Sequence, residues 1–247
     1  MLTGKSIRTT IPRLIEIAPP PVIDPSLFAG TGGKERHNNK NSMKPRFAML
    51  VDGGFLTKAL AFRDKQFPTA EQVRAECLRL AALEHFSDFD LLRIYFYDAP
   101  PASKKVTNPV SREQIDLGAT EIFRRNSAML DSIEQFDNFA LRKGETVVRG
   151  WSLGQRAAAS ILKKPRAPEA ADLVPNIEQK GVDLRIGLDI ARLSLRQVVQ
   201  AILIVTGDSD MIPAFKFARR EGMRIYLHYA GMPVRPELKA HADMIVA

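Results

Sequence analysis

Ala201-Ile202-Leu203-Ile204-Val205-Thr206-Gly207-Asp208-Ser209-Asp210 is the stretch on which the fold turns. Its apolar opening is too short for a buried helix and rich in β-branched residues, which suits a strand covered on both faces, as in a parallel sheet. The strand runs directly into a Thr-Gly turn and two carboxylates one residue apart. Capping the next helix needs one carboxylate, so the second requires another reason. Two like charges held close raise each other's pKa unless a cation or solvent compensates, and Mg²⁺ and Mn²⁺ are the cations that select carboxylate and water ligands. Asp208 and Asp210 are therefore candidate metal ligands on their own chemistry. Thr206 and Ser209 beside them are candidate donors to a phosphate oxygen, against the commoner role of a small hydroxyl as a cap.

Outward from this strand, short apolar runs at 47–51, 91–97, 146–148 and 224–228 alternate with helical patterns, and 244–246 adds an edge strand. Each parallel strand needs a crossover, so the alternation predicts an α/β domain with a mostly parallel sheet. Thr69 followed by Gln72 reads as a capping box for a helix whose Val73, Cys77, Leu80 and Ala81 share one face. A longer helix is expected over about 111–142, with a bend at Asp131 or Asn138, and the proline-bearing stretch 163–176 reads as a loop. The first predicted strand ends in Val51-Asp52-Gly53-Gly54, which puts Asp52 where an open parallel sheet presents ligands; capping of the next helix is the plainer role for it. Lys180-Gly181-Val182-Asp183 opens another helix at Asp183. Asp189, six residues on, lies some 240° around that helix at about 100° per residue. It is divided between a supporting role at the site and a surface pair with Arg185 or Arg192.

The chain has 247 residues and a net charge of +8, room for one sizeable domain plus a tail. Residues 1–42 hold six Lys/Arg against three Asp/Glu, so most of the basic excess belongs to the remainder. That excess suits a polyanionic partner such as nucleic acid. The prolines at 19–21 and 25 and the Gly/Lys/Asn-rich stretch 30–41 predict a disordered extension over 1–42, with Met43 as a plausible native start. No apolar run approaches the roughly 18 residues of a membrane span, and Lys5, Arg8, Arg13 and Glu16 interrupt any signal peptide, so a soluble cytoplasmic protein is expected. The single cysteine, Cys77, excludes an internal disulfide and a Cys-rich zinc site, and the histidines at 37, 85, 228 and 241 show no metal-ligand spacing. Neither a Walker pattern nor a dinucleotide fingerprint is present.

Taken in order, Val51-Asp52-Gly53-Gly54-Phe55, Arg93-Ile94-Tyr95-Phe96-Tyr97-Asp98-Ala99-Pro100, Lys180-Gly181-Val182-Asp183 through Asp189, and Val205-Thr206-Gly207-Asp208-Ser209-Asp210-Met211-Ile212-Pro213 resemble the NYN domain of the LabA-like group, over roughly residues 46–246. The resemblance implies a PIN-like three-layer α/β/α domain over 43–247. It also implies a ribonuclease, of the endonuclease kind, that uses Mg²⁺ or Mn²⁺. Its acidic cluster maps onto Asp52, Asp183, Asp208 and Asp210, with Asp189 a further member. Some relatives carry Asn where Phe55 stands and an aromatic where Met211 stands, which alters the margin of the site more than its carboxylates.

RNA is then the expected partner and a homo-oligomer is compatible with it. Phosphate contacts are assigned to Lys180 first, then Lys104 and Lys105, with Lys163, Lys164 and Arg166 behind them. Two rivals share the carboxylates. A non-catalytic RNA-binding scaffold keeps them without turnover. A haloacid-dehalogenase-like phosphatase needs an Asp two residues after its nucleophile, where this chain has Gly54.

Overall fold

The structure is a computed structural model that describes residues 43–246; the extension expected over 1–42 lies outside them. Strand β1 (Arg46–Asp52) is central: it pairs in parallel with β8 (Ala201–Val205) on one side and with β2 (Asp90–Asp98) on the other. Beyond β8 lie β9 (Arg224–His228) and the short β10 (Met244–Ile245), and beyond β2 lies β5 (Phe139–Lys143), giving a six-stranded, all-parallel sheet in the order β10-β9-β8-β1-β2-β5.

Alternation along β1 sorts the helices. Phe47, Met49 and Val51 face a core shared with α1 (Gly53–Asp64), α2 (Ala70–Ala81) and α3 (Glu121–Glu134). Ala48 and Leu50 face a second core shared with α5 (Val182–Leu195), α6 (Ile212–Arg220) and α7 (Pro236–Ala240). Because successive side chains of a strand point to opposite faces, a sheet buried on both sides reads as an uninterrupted apolar run, as 201–205 does. The result is a three-layer α/β/α arrangement consistent with a PIN-like fold. The Thr69 capping box is present, with Thr69 N donating to Gln72 Oε1 and Gln72 N to Thr69 Oγ1, and Cys77 is fully buried beneath it.

Three stretches differ from the sequence reading. The helix expected over 111–142 is confined to α3: ahead of it stands a small hairpin, β3 (Lys105–Thr107) with β4 (Gln114–Asp116), and behind it β5. Thr120 caps α3 by accepting from Phe123 N, and Asn138, at φ 64°, closes the turn that sends Phe139–Lys143 back along β2. The apolar residues 139–141 thus serve a strand, and a local period cannot reveal which partner they meet. The strand read at 146–148 belongs to β6 (Glu145–Leu153), which pairs with β7 (Leu173–Lys180) in an antiparallel arm outside the main sheet. The proline-bearing stretch splits accordingly: its first residue ends α4 (Gln155–Lys163), 164–172 stay outside the strands, and Pro175 sits inside β7, opposite Trp151 where the register slips. A two-stranded arm has only edges, so proline is tolerated there.

One glycine governs how closely α1 can leave β1. A Cβ at Gly53 would lie 2.5 Å from the Phe96 ring and 2.8 Å from the Tyr97 carbonyl oxygen, which is backbone and cannot swing aside. Gly53→Ala should therefore cost about 1–3 kcal/mol of stability, as overpacking does in well-packed cores. Equilibrium urea unfolding measures it, and a midpoint unchanged from the parent would contradict this account of the β1–α1 junction.

Candidate active site

The carboxyl ends of β1, β2 and β8 lie side by side, so three sequence-distant segments deliver carboxylates to one edge. Asp52 ends β1 and caps α1, its Oδ1 accepting from Phe55 N at 3.0 Å. Its Oδ2 accepts from the Thr206 hydroxyl at 3.3 Å, and the same Thr206 oxygen accepts from Asp208 N at 3.1 Å. Asp208 in turn caps the short turn Ser209–Met211, its Oδ1 accepting from Asp210 N at 2.8 Å. Capping leaves room for a second role in both: Asp208 keeps one oxygen outside its cap, and the second oxygen of Asp52 takes a single hydrogen bond, from Thr206. Asp183 comes from the first turn of α5, placed there by Gly181 at φ 73°, a left-handed backbone that favours glycine.

Asp52, Asp183 and Asp208 line a recess of about 320 Å³ with Gly54, Phe55, Lys58, Gln179 and Gly207. Burial pushes the Asp52 carboxyl up to about 6; the Phe55 amide opposes this, and the negative charges of Asp183 and Asp98 add to it. Asp183 is also raised, by partial burial and then by the charges of Asp208 and Asp210. Burial first, and like charge after it, therefore disfavours the ionised form of these two carboxyls, and the Lys58 ammonium shares the recess with them. Among the described residues no three His, Cys, Asp or Glu side chains stand together in an arrangement that holds a metal ion as they are placed. Carboxylates are the donor type that hard divalent cations select, and such ions keep several waters of their own.

The other sequence candidates fall on either side of this recess. Asp189 is drawn away from it: its Oδ2 accepts from the Tyr97 hydroxyl at 2.8 Å, with Arg142 Nε at 3.4 Å and Arg192 Nη1 at 4.0 Å. Of the two surface partners considered from sequence, Arg192 is the one present, while Arg185 turns back to the Gly181 carbonyl. Thr206 is fully buried and its hydroxyl is used by Asp52 and Asp208. Lys180 pairs with Glu178 at 3.0 Å on the arm, and Lys105 lies near Asp116 at 3.8 Å across the small hairpin. Neither of them nor Lys104 lines the recess, and Asp210 is exposed at its margin.

Sequence reasoning missed three residues. Lys58 lies one helical turn after Gly54 and lines the recess. Asp98 ends β2 and is held by Ala99 N at 2.7 Å and Gln179 Nε2 at 2.9 Å; burial raises its carboxyl, and the nearby Lys58 charge offsets part of that rise. Gln179 arrives from β7, so the arm reaches the site. The signal for Lys58 was its i+4 spacing from the Gly54 turn, and for Asp98 its place at a strand end one position past Tyr97, the register partner of Asp52. Nothing local marked Gln179.

The matched family model now fits this geometry. Residues 126–246 match the family model described as NYN domain. That stretch is similar to an NYN domain. NYN domains belong to the PIN-like nuclease superfamily, and the matched stretch holds Asp183, Asp189, Asp208 and Asp210; strand β1 with Asp52 precedes it and enters the site through the sheet. Among solved structures, a protein of unknown function from Vibrio parahaemolyticus is similar at 16% identity and a TM-score of 0.49, over 84% of this chain and 95% of that one. No curated protein matches the chain.

The raised Asp52 pKa has a signed consequence for stability. A buried carboxyl that prefers its neutral form contributes stability that is complete below the ordinary value near 4 and is lost as pH rises through about 6. In EDTA, Asp52→Asn should consequently raise the melting temperature at pH 7 by about 3 °C, roughly 1 kcal/mol for a domain of this size, and change it little at pH 4. Scanning calorimetry at the two pH values checks this; an equal or lower melting temperature for the variant at pH 7 would contradict it.

Proposed function

We propose that the NYN domain is a metal-dependent ribonuclease of the LabA-like kind, built on residues 43–247, that hydrolyses RNA phosphodiester bonds within the strand. The observation that carries the reading is the meeting of Asp52, Asp183 and Asp208 in one recess at the carboxyl edge of the sheet, where burial holds the carboxyls of Asp52 and Asp183 above their ordinary range. The carboxylates of Asp52, Asp183, Asp208 and Asp210 would hold Mg²⁺ or Mn²⁺. Such an ion, when bound, lowers the pKa of a coordinated water and neutralises charge on the phosphodiester.

The chain's own residues supply orientation. Thr206 fixes Asp52 and Asp208 relative to each other through its two hydrogen bonds. The Lys58 ammonium, at the wall of the recess, meets a phosphate oxygen and so takes the role that sequence reasoning gave to Lys180, Lys104 and Lys105. The Ser209 hydroxyl at the rim is a further donor to the phosphate. Asp189 orients α5 through Tyr97 and Arg142 and acts on the site only through Asp183. The net basic charge of the chain favours approach of the polyanion to an acidic centre it would otherwise avoid. A water oxygen bonds to phosphorus as the in-line bond to the ribose oxygen breaks; the water's proton passes to solvent and the departing ribose oxygen takes one from it, leaving a phosphomonoester on one fragment and a hydroxyl on the other.

The test is to incubate the purified protein with labelled single-stranded RNA, circular RNA, DNA and a phosphomonoester in Mg²⁺, Mn²⁺ or EDTA. RNA cleavage, circles included, that requires the cation and falls at least about 100-fold in Asp208→Asn is expected, the order of loss for removing a principal electrostatic group. Tight RNA binding without cleavage under any cation would replace the reading with a scaffold, and turnover of the phosphomonoester alone would replace it with a phosphatase.

A further inference from the structure

Beside the acidic recess, and sharing Gly54, Lys58, Asp98 and Gln179 with its surroundings, a groove of about 570 Å³ runs between α1, α3, the segment after β2 and the arm. That volume falls within the roughly 300–1,000 Å³ typical of sites for organic ligands. Its walls are mostly apolar: Phe67 follows α1, Ile122, Phe123 and Met129 come from α3, Pro101 follows β2, and Ile177 comes from the arm. Ile122 and Ile177 are 61% and 47% exposed at its rim.

The polar groups sort into spent and unspent ones. The hydroxyls of Thr57, Thr120 and Thr146 donate to the carbonyls of Gly53, Leu117 and Pro100. Asn126 also lines the groove, and among the described residues its Oδ1 is buried with no hydrogen-bond partner. A buried amide left without a partner is costly, whereas a ligand edge carrying N–H groups satisfies it.

We propose that this groove receives an unpaired nucleobase of the strand whose phosphate lies over the aspartates, so that the domain selects RNA with an unstacked nucleotide at a fixed position from the cut. The inference rests on the ribonuclease reading and deepens it. Three features commit the groove to a base. It opens onto the acidic recess through Gly54, Lys58 and Gln179, so a strand crossing the recess has a base within reach of it. Lys58 stands at the junction, where a phosphate joins one nucleotide to the next. Phe123 and Phe67, the latter with the Arg125 guanidinium 3.8 Å from its ring centroid, give an aromatic lining with an amide beside it, the kind of surface on which splayed-out bases are held by stacking and by edge hydrogen bonds. A base locked in a duplex is denied this groove, because stacking and pairing hide both its faces and its edge.

The test uses the full chain with Asp208→Asn as a background that prevents turnover, in Mg²⁺, and a single-stranded RNA in which one abasic residue is moved along the sequence. Affinity is expected to fall about tenfold or more at one position only, the usual scale for losing one base–aromatic stack. Adding Phe123→Ala should lower affinity for the intact RNA by a similar factor and flatten the profile. Ile177→Glu, on the exposed rim of the arm, should do the same without touching the core. A flat profile in the parent, or a blunt duplex bound as tightly as the single strand, would overturn the groove assignment and would point to another occupant such as a protein side chain. Cleavage by the unsubstituted chain is followed in parallel: cutting with a flat profile sinks the groove and spares the ribonuclease, whereas a position-specific profile without cutting supports the groove and sinks the ribonuclease.

Discussion

Strand β1 is hydrogen-bonded on both sides, to β8 and to β2, and every residue from Phe47 to Val51 has a register partner in each neighbour. A strand held that way cannot shift by one position without exchanging its two faces, since Met49 and Val51 belong to one core and Ala48 and Leu50 to the other. Register is therefore fixed by burial, and with it the point where Asp52 leaves the sheet. The Thr206 hydroxyl then ties the tip of β8 to the tip of β1, donating to Asp52 and accepting from Asp208 N. The acidic edge depends on this pairing, because Asp183 and Gln179 come from separate elements that only the sheet and its covering helices bring near.

Electrostatics run against stability at that edge. Burial raises the carboxyls of Asp52, Asp98 and Asp183, and like charge adds to the rise at Asp52 and Asp183, where an ordinary core would place apolar groups or matched pairs. Elsewhere the chain pairs its charges in the usual way: Glu76 lies between Arg63 and Arg79, and Asp172 takes a two-pronged contact from Arg166 that holds its carboxyl down to about 2. The contrast separates carboxylates neutralised by arginine from those left to burial. Perturbed carboxyls gathered in a cleft are a mark of functional sites.

How much of this was legible in the sequence follows from how local each signal was. The run 201–205 into Asp208 and Asp210 carried its own meaning, as did the Thr69–Gln72 cap, because the deciding contacts lie within a few residues. Asp52 and Asp183 were marked mainly by family pattern, and the sheet order supplies the physical reason they meet. The segment 111–142 misled because its apolar residues fit a helical stripe, yet Phe139–Lys143 gains more by completing the sheet beside β2. The arm was hidden for a similar reason: β6 and β7 are separated by α4 and half exposed, so neither shows the alternation of a strand covered on one face. Lysines were the hardest to place, since long charged side chains are set by their neighbours; Glu178 claims Lys180, and Lys58 stands in the recess instead.

The central claim is that the edge where β1 and β8 end, with the first turn of α5, forms a divalent cation site. Crystals grown in Mn²⁺ and measured for anomalous scattering test it most directly. A peak in the recess, ligated by oxygens of Asp52, Asp183 and Asp208 with the remaining positions filled by water, is the predicted result. A recess without Mn²⁺ at saturating concentration, its carboxylates turned instead to protein cations, would contradict the account.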